Sequence, residues 1–110
     1  MPLSARARVE LYLPDRPEPI YQDLYHAIVN EFTNVFGGCT TQHSKGSYLA
    51  DSGASIAEKV LVVYADTEFD FQDNLELVTE YADHLRGDVH LALDEEEEIL
   101  VAVWSVSHSV

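Results

Sequence analysis

The chain reads as a small α+β domain. Three observations carry this. Residues 6–13 and 99–107 alternate or run apolar as strands do. Residues 19–36 carry apolar side chains at helical spacing and stop at a glycine pair. Between them a polar strand-like run and an apolar one flank Asp51-Ser52-Gly53, a turn sequence.

In chain order, Ala7, Val9, Leu11 and Leu13 share one side of the first strand, with Arg8, Glu10 and Tyr12 on the other. Pro14, Pro17 and Pro19 then end pairing and force an extended loop. Ile20, Leu24, Ala27, Ile28, Phe32 and Val35 form the helical stripe. A proline in the first turn costs nothing there, and Gly37-Gly38 caps the end. Cys39 to Leu49 is a polar strand in which Gly46 suggests a bulge or bend. Ile56 to Ala65 returns as a strand apolar on both sides at Val60–Tyr64, the pattern of a central strand. Asp66 to Asp73 reads as an acidic connection. A second helix is expected over 72–86, with Leu75, Val78, Ala82 and Leu85 inward and Arg86-Gly87 as its stop; Thr67 or Asp70 is its candidate cap. Residues 89–93 alternate and make a candidate extra strand, and Glu95 to Glu98 belong in water.

The resulting order is β-α-β-β-α-β over one domain, residues 1–110. It is the ferredoxin-like, split-βαβ arrangement: two helices on one face of a four-stranded antiparallel sheet, five-stranded if 89–93 pairs. Its other face is then bare. Tyr12, Val101, Val103 and Trp104 are the candidates for that face, and a patch of this size is expected to be covered by a second copy in a symmetric dimer.

The net charge of −14, from 20 acidic and 6 basic residues, opposes nucleic-acid binding and attachment to an anionic membrane surface. Its plainest meaning is a well-solvated surface. The lone Cys39 fits a reducing, cytoplasmic setting, and no secretory or membrane-spanning segment is read.

Chemistry-bearing residues concentrate on the hairpin. Thr41, His43, Lys45, Tyr48 and Glu58 are the candidates for ligand or partner binding. The plain alternative is an edge strand whose polar groups and lysine discourage pairing. Cys39 follows a helix C-terminus, which raises a thiol's pKa, so it reads as a packing residue. The five histidines show no local ligand spacing; neither a metal site nor a cofactor is expected. The acidic runs lack the pattern of a calcium loop.

Phe36-Gly37-Gly38, Thr40, Gly46-Ser47-Tyr48, Gly53 and Glu58 together resemble small bacterial ferredoxin-like domains, loosely akin to the dimeric α/β-barrel group. The resemblance spans residues 8–66. Those domains often carry tryptophan where Tyr48 stands. It implies the fold and a dimer, and no catalytic residue. The expected function is a non-catalytic binding or regulatory module, a homodimer holding a partner protein or small ligand at 40–48. One alternative is a small dimeric α/β-barrel enzyme using His43, Tyr48 and Glu58, with an enclosed pocket between sheet and helices. The other is an acidic inhibitor or nucleic-acid mimic with clustered carboxylates.

Overall fold

A computed structural model describes residues 3–93 and 100–109. The elements are β1 (Leu3–Pro14), α1 (Pro19–Phe36), β2 (Thr40–Leu49), β3 (Ser55–Asp70), α2 (Leu75–Ala92) and β4 (Leu100–Ser109). The four strands make one antiparallel sheet in the order β2-β3-β1-β4. The run from Asp94 to Glu98, and Ile99, lie outside the described residues.

Register decides which side chains meet. Val9 stands between Ala65 and Val103, and Leu11 between Val63 and Val101. These residues, with Ala7 and Leu13, share the side on which α1 and α2 pack into one apolar cluster. Val101 and Val103 therefore belong to the helix-covered side and leave the expected dimer face. Tyr12, opposite Leu100, and Trp104, opposite Arg8, remain on the other side. The side-chain period of two makes the separation unavoidable.

Helix α1 has the expected bounds but not the expected inward stripe. Tyr21, Tyr25, Ile28 and Phe32 are its buried residues, while Ile20 and Val35 are 56% and 48% exposed. The tyrosines turn the helix. The Tyr25 hydroxyl donates to the Pro14 carbonyl and accepts from the Arg16 N–H at 3.0 Å, pinning the proline loop to the helix. Burial pushes the Tyr25 hydroxyl pKa up. Phe32 is the largest of the fully buried side chains; its loss to alanine costs about 3–5 kcal/mol. Its ring meets Phe36, and Phe36 meets Tyr81 of α2, both edge to face, tying the helices together. Gly37 caps α1 at φ +84°, its N–H on the Thr33 carbonyl at 2.9 Å.

Helix α2 passes through Arg86-Gly87 and continues to Ala92, so 89–93 is no fifth strand. Its buried residues, Val78, Ala82, Leu85 and Val89, followed by buried Leu93 at the cap, keep helical spacing across the glycine. Burying Val89 and Leu93 outweighs the glycine's cost of about 1 kcal/mol. The helix has neither expected cap. Asp70 instead accepts the N–H groups of Gln72 and Asp73, closing the turn that precedes it.

Strand β3 runs on to Asp70 where a loop was expected. Its end is spliced to β1 through a register shift between Arg6 and Arg8. No shift occurs at Gly46, which pairs regularly with Glu58. Beyond Val60, β3 has no β1 partner, and β2 and β3 project as a ribbon ending at Gly53, φ +86°. Cys39 packs half-buried against the core. Among the described residues, no helix is long and apolar enough to cross a membrane.

Candidate functional site

The uncovered sheet face gathers alternate residues of all four strands. Strand β1 contributes Arg8, Glu10 and Tyr12; β3 contributes Val62, Tyr64 and Asp66 opposite them. Register places Arg8 beside Asp66, and the pair is bidentate: Nε to Oδ1 at 2.5 Å, Nη2 to Oδ2 at 2.9 Å. The same guanidinium lies 4.4 Å from the centre of the Tyr64 ring and 3.8 Å from Glu10. Asp66 above all, then Tyr64 and Glu10, holds its pKa above the ordinary arginine value. The Tyr12 hydroxyl donates to Glu10 Oε2 at 2.5 Å, which with partial burial pushes its pKa up to about 12.

This network floors a groove of about 380 Å³, walled on the β2 side by Gln42, Ser44, Lys45 and Gly46; Lys45, at the strand edge, reaches this groove as well as the helix side. Outward along β1 and β4 the face turns apolar, through Ala102, Leu100 and Trp104. Trp104 is 51% exposed and Leu100 58%. Strand β4 is an edge strand, and from Leu100 to Ser109 it has no Lys, Arg, Asp, Glu or Pro.

The expected hairpin residues do not converge. Thr41, His43 and Lys45 stand opposite Val63, Leu61 and Lys59, on the helix side of β2. Glu58 stands opposite Gly46 on the other side of the sheet. Tyr48 pairs with Ile56, a register position that alternates with those of the first three. His43 and Glu58 cannot act on one substrate atom from opposite faces of a sheet.

The helix-side group forms its own small site. His43 Nδ1 is 2.7 Å from Asp15 Oδ2. Asp15 is held there because its N–H bonds to the Lys59 carbonyl at 2.9 Å. A concavity of about 280 Å³ is lined by Asp15, His43, Ser44, Lys45 and Lys59.

Between α1 and α2 runs a third concavity, about 290 Å³, lined by helix residues including Glu31, Tyr81 and His84. The Tyr81 hydroxyl donates to Glu31 Oε1 at 3.1 Å; burial, then Glu31, pushes its pKa up. It is a groove between helices, unlike the enclosed chamber between sheet and helices that the enzyme reading requires. Among the described residues, no group of three His, Cys, Asp or Glu side chains is placed to hold a metal ion.

Arg8, Glu10, Tyr64, Asp66 and Asp15 are the site residues missed on sequence. The alternation Arg8-Val9-Glu10-Leu11-Tyr12 signalled the first two; Asp15, in a proline loop, carried no signal. Compared with protein-family models, curated proteins and solved structures, the chain gives no significant match.

Proposed function

We propose that this is a ferredoxin-like βαββαβ domain working as a non-catalytic binding module, a homodimer in which a second copy covers the open sheet face. The fold name rests on the interleaving: β1 and β3 lie side by side at the centre, with β2 and β4 outside them. The dimer rests on the open face. The chain's accessible surface is 7396 Å², whereas a compact monomer of 12.3 kDa is expected to expose about 6,100 Å². That excess is more than the roughly 800 Å² that each partner contributes to a standard interface. Trp104 and Leu100 are exposed on that face, which runs out to an uncharged edge strand.

Pairing two such faces encloses the groove above Arg8 and desolvates the Arg8–Asp66 pair, which gains strength as water leaves. Small ligands or partner segments bind along the hairpin side of the domain, at Thr41, His43 and Lys45 on one face and Gln42 and Ser44 on the other. The separation of His43 from Glu58 favours binding over catalysis. The carboxylates favour no mimicry of nucleic acid: Glu10 and Asp66 engage Arg8, Asp15 engages His43, and Glu31 engages Tyr81, in three separate places.

Sedimentation and native mass measurement test the dimer. The wild-type chain is expected to be dimeric at micromolar concentration. Trp104→Glu is expected to be a folded monomer, and Leu77→Glu, on the outer side of α2, to remain dimeric. A folded wild-type monomer at every concentration, or a dimer indifferent to Trp104→Glu, overturns the reading.

A further inference from the structure

The chain has two lysines, Lys45 and Lys59, and its net charge is −14. The sheet sets those two lysines directly opposite each other on neighbouring strands. Like charges so placed repel and destabilise the pair. Among the described residues, neither has a carboxylate within ion-pairing distance. His43 stands two residues before Lys45 on the same side, and all three line one concavity.

Protection of an open edge explains Lys45, which lies on edge strand β2. It does not explain Lys59. Lys59 lies on β3, and its carbonyl on the side away from β2 is already taken by the Asp15 N–H. The repulsion is relieved if something negative comes between the two ammonium groups.

We propose that Lys45, Lys59 and His43 form a binding site for a small phosphate-class oxyanion, either inorganic phosphate or the phosphate group of a small metabolite. This rests on the hairpin-binding reading above and names its ligand. Each residue has a distinct part. The two ammonium groups approach from neighbouring strands and supply charge-assisted hydrogen bonds to separate phosphate oxygens. His43 presents Nε2, because Nδ1 is committed to Asp15 Oδ2 at 2.7 Å. As an imidazolium it donates from Nε2 to a third oxygen, while Asp15 accepts its other proton. Asp15, which lines the same concavity, is a positioning residue: its carboxylate is engaged by His43 Nδ1 and fixes the ring. The net charge of −14 opposes anions overall, so binding depends on a local cluster of positive charge.

The test is titration of the full chain with inorganic phosphate, and separately with methyl phosphate, at constant ionic strength with chloride as the balancing anion. The His43 ring resonances are followed by NMR. Saturable shifts are expected, and a tighter fit for methyl phosphate identifies a metabolite's phosphate group as the ligand. Lys45→Ala and Lys59→Ala should each weaken binding about tenfold or more, the scale of one charge-assisted hydrogen bond. Asp15→Asn should weaken it while leaving both lysines in place. The Lys45→Ala/Lys59→Ala double variant should melt no lower than wild type without phosphate, and only wild type should gain melting temperature when phosphate is added. The inference is overturned if no saturable shift develops by about 10 mM phosphate, which fills even a site with Kd ~1 mM. Shifts that persist unchanged in the double variant overturn it equally. Native mass, measured on the same samples, separates this outcome from the dimer reading: a dimer that ignores phosphate loses only the inference drawn here, and a monomer that binds phosphate loses only the dimer.

Discussion

The Thr67 hydroxyl donates to the Ala7 carbonyl at 2.8 Å across the point where β1 and β3 slip register. The slip leaves Ala7 opposite the three residues from Thr67 to Phe69, since Arg6 pairs with Asp70 and Arg8 with Asp66. A buried carbonyl there has lost its ladder partner, and the threonine side chain replaces it. The Thr67 hydroxyl oxygen in turn accepts the Phe69 N–H at 3.2 Å. Thr67 is the one polar residue in the described core and is fully buried.

Replacing Thr67 by valine keeps the volume and strands both backbone groups. A loss of about 1–3 kcal/mol in urea unfolding is expected, with serine at this position retaining most of the wild-type stability. A valine variant as stable as wild type would show that water serves these groups equally well.

Tyr25 does a related task at the other end of β1. Its hydroxyl bridges the Pro14 carbonyl and the Arg16 N–H. Tyr25→Phe should cost about 1–3 kcal/mol by leaving these groups unpaired, and amide exchange at Arg16 should speed up more than exchange elsewhere in the sheet.

Gly87 sits exposed inside α2, and a Cβ there would meet nothing within 4 Å. Its φ is not in the left-handed region. Gly87→Ala should therefore stabilise the fold by about 0.5–1 kcal/mol, read as a higher urea midpoint at unchanged m-value.

Tyr12 carries a pH dependence with a defined sign. Its pKa rises from 10.0 to about 12 on folding, chiefly through the hydrogen bond to Glu10. A group with a raised folded pKa contributes its stability fully below the unfolded value and loses it as pH climbs through the folded one. Stability from this contact is therefore intact below pH 10 and lost toward pH 12. Phenolate absorbance should show Tyr12 among the late-ionising tyrosines of the wild type. Glu10→Ala should bring it back toward its ordinary value, and Tyr12→Phe should remove one late-ionising group.

Helix α1 was legible to the residue because its start and stop are written in local chemistry, at Pro19 and Gly37. Which way it faces was not. Counting aliphatic side chains selects Ile20 and Val35, and it overlooks that a tyrosine can bury its ring when its hydroxyl finds a carbonyl, as Tyr25 does at Pro14. The end of α2 was misplaced because a glycine reads as a stop, although Val89 and Leu93 keep the helical spacing beyond it. The alternation in β1 already separated Arg8, Glu10 and Tyr12 from the core. Their meeting with Asp66 and Tyr64 depends on strand register, which is set by long-range pairing. The slip at Thr67 left no sign in the sequence, since an acidic run with two phenylalanines looks more like a loop than a strand.

Strand β1 is the first of the described strands, and its neighbours in the sheet come late. Leu11 is flanked by Val63 and by Val101, the latter on the last described strand. During synthesis β1 emerges long before either neighbour exists. Its Ala7–Leu13 stretch waits as a bare apolar edge until β3 arrives, and keeps one side bare until β4 does. The two closures span long stretches of chain and place this domain among slower folders for its size. A nascent chain stalled before β4 would hold every core residue of both helices, yet present β1 to any passing strand.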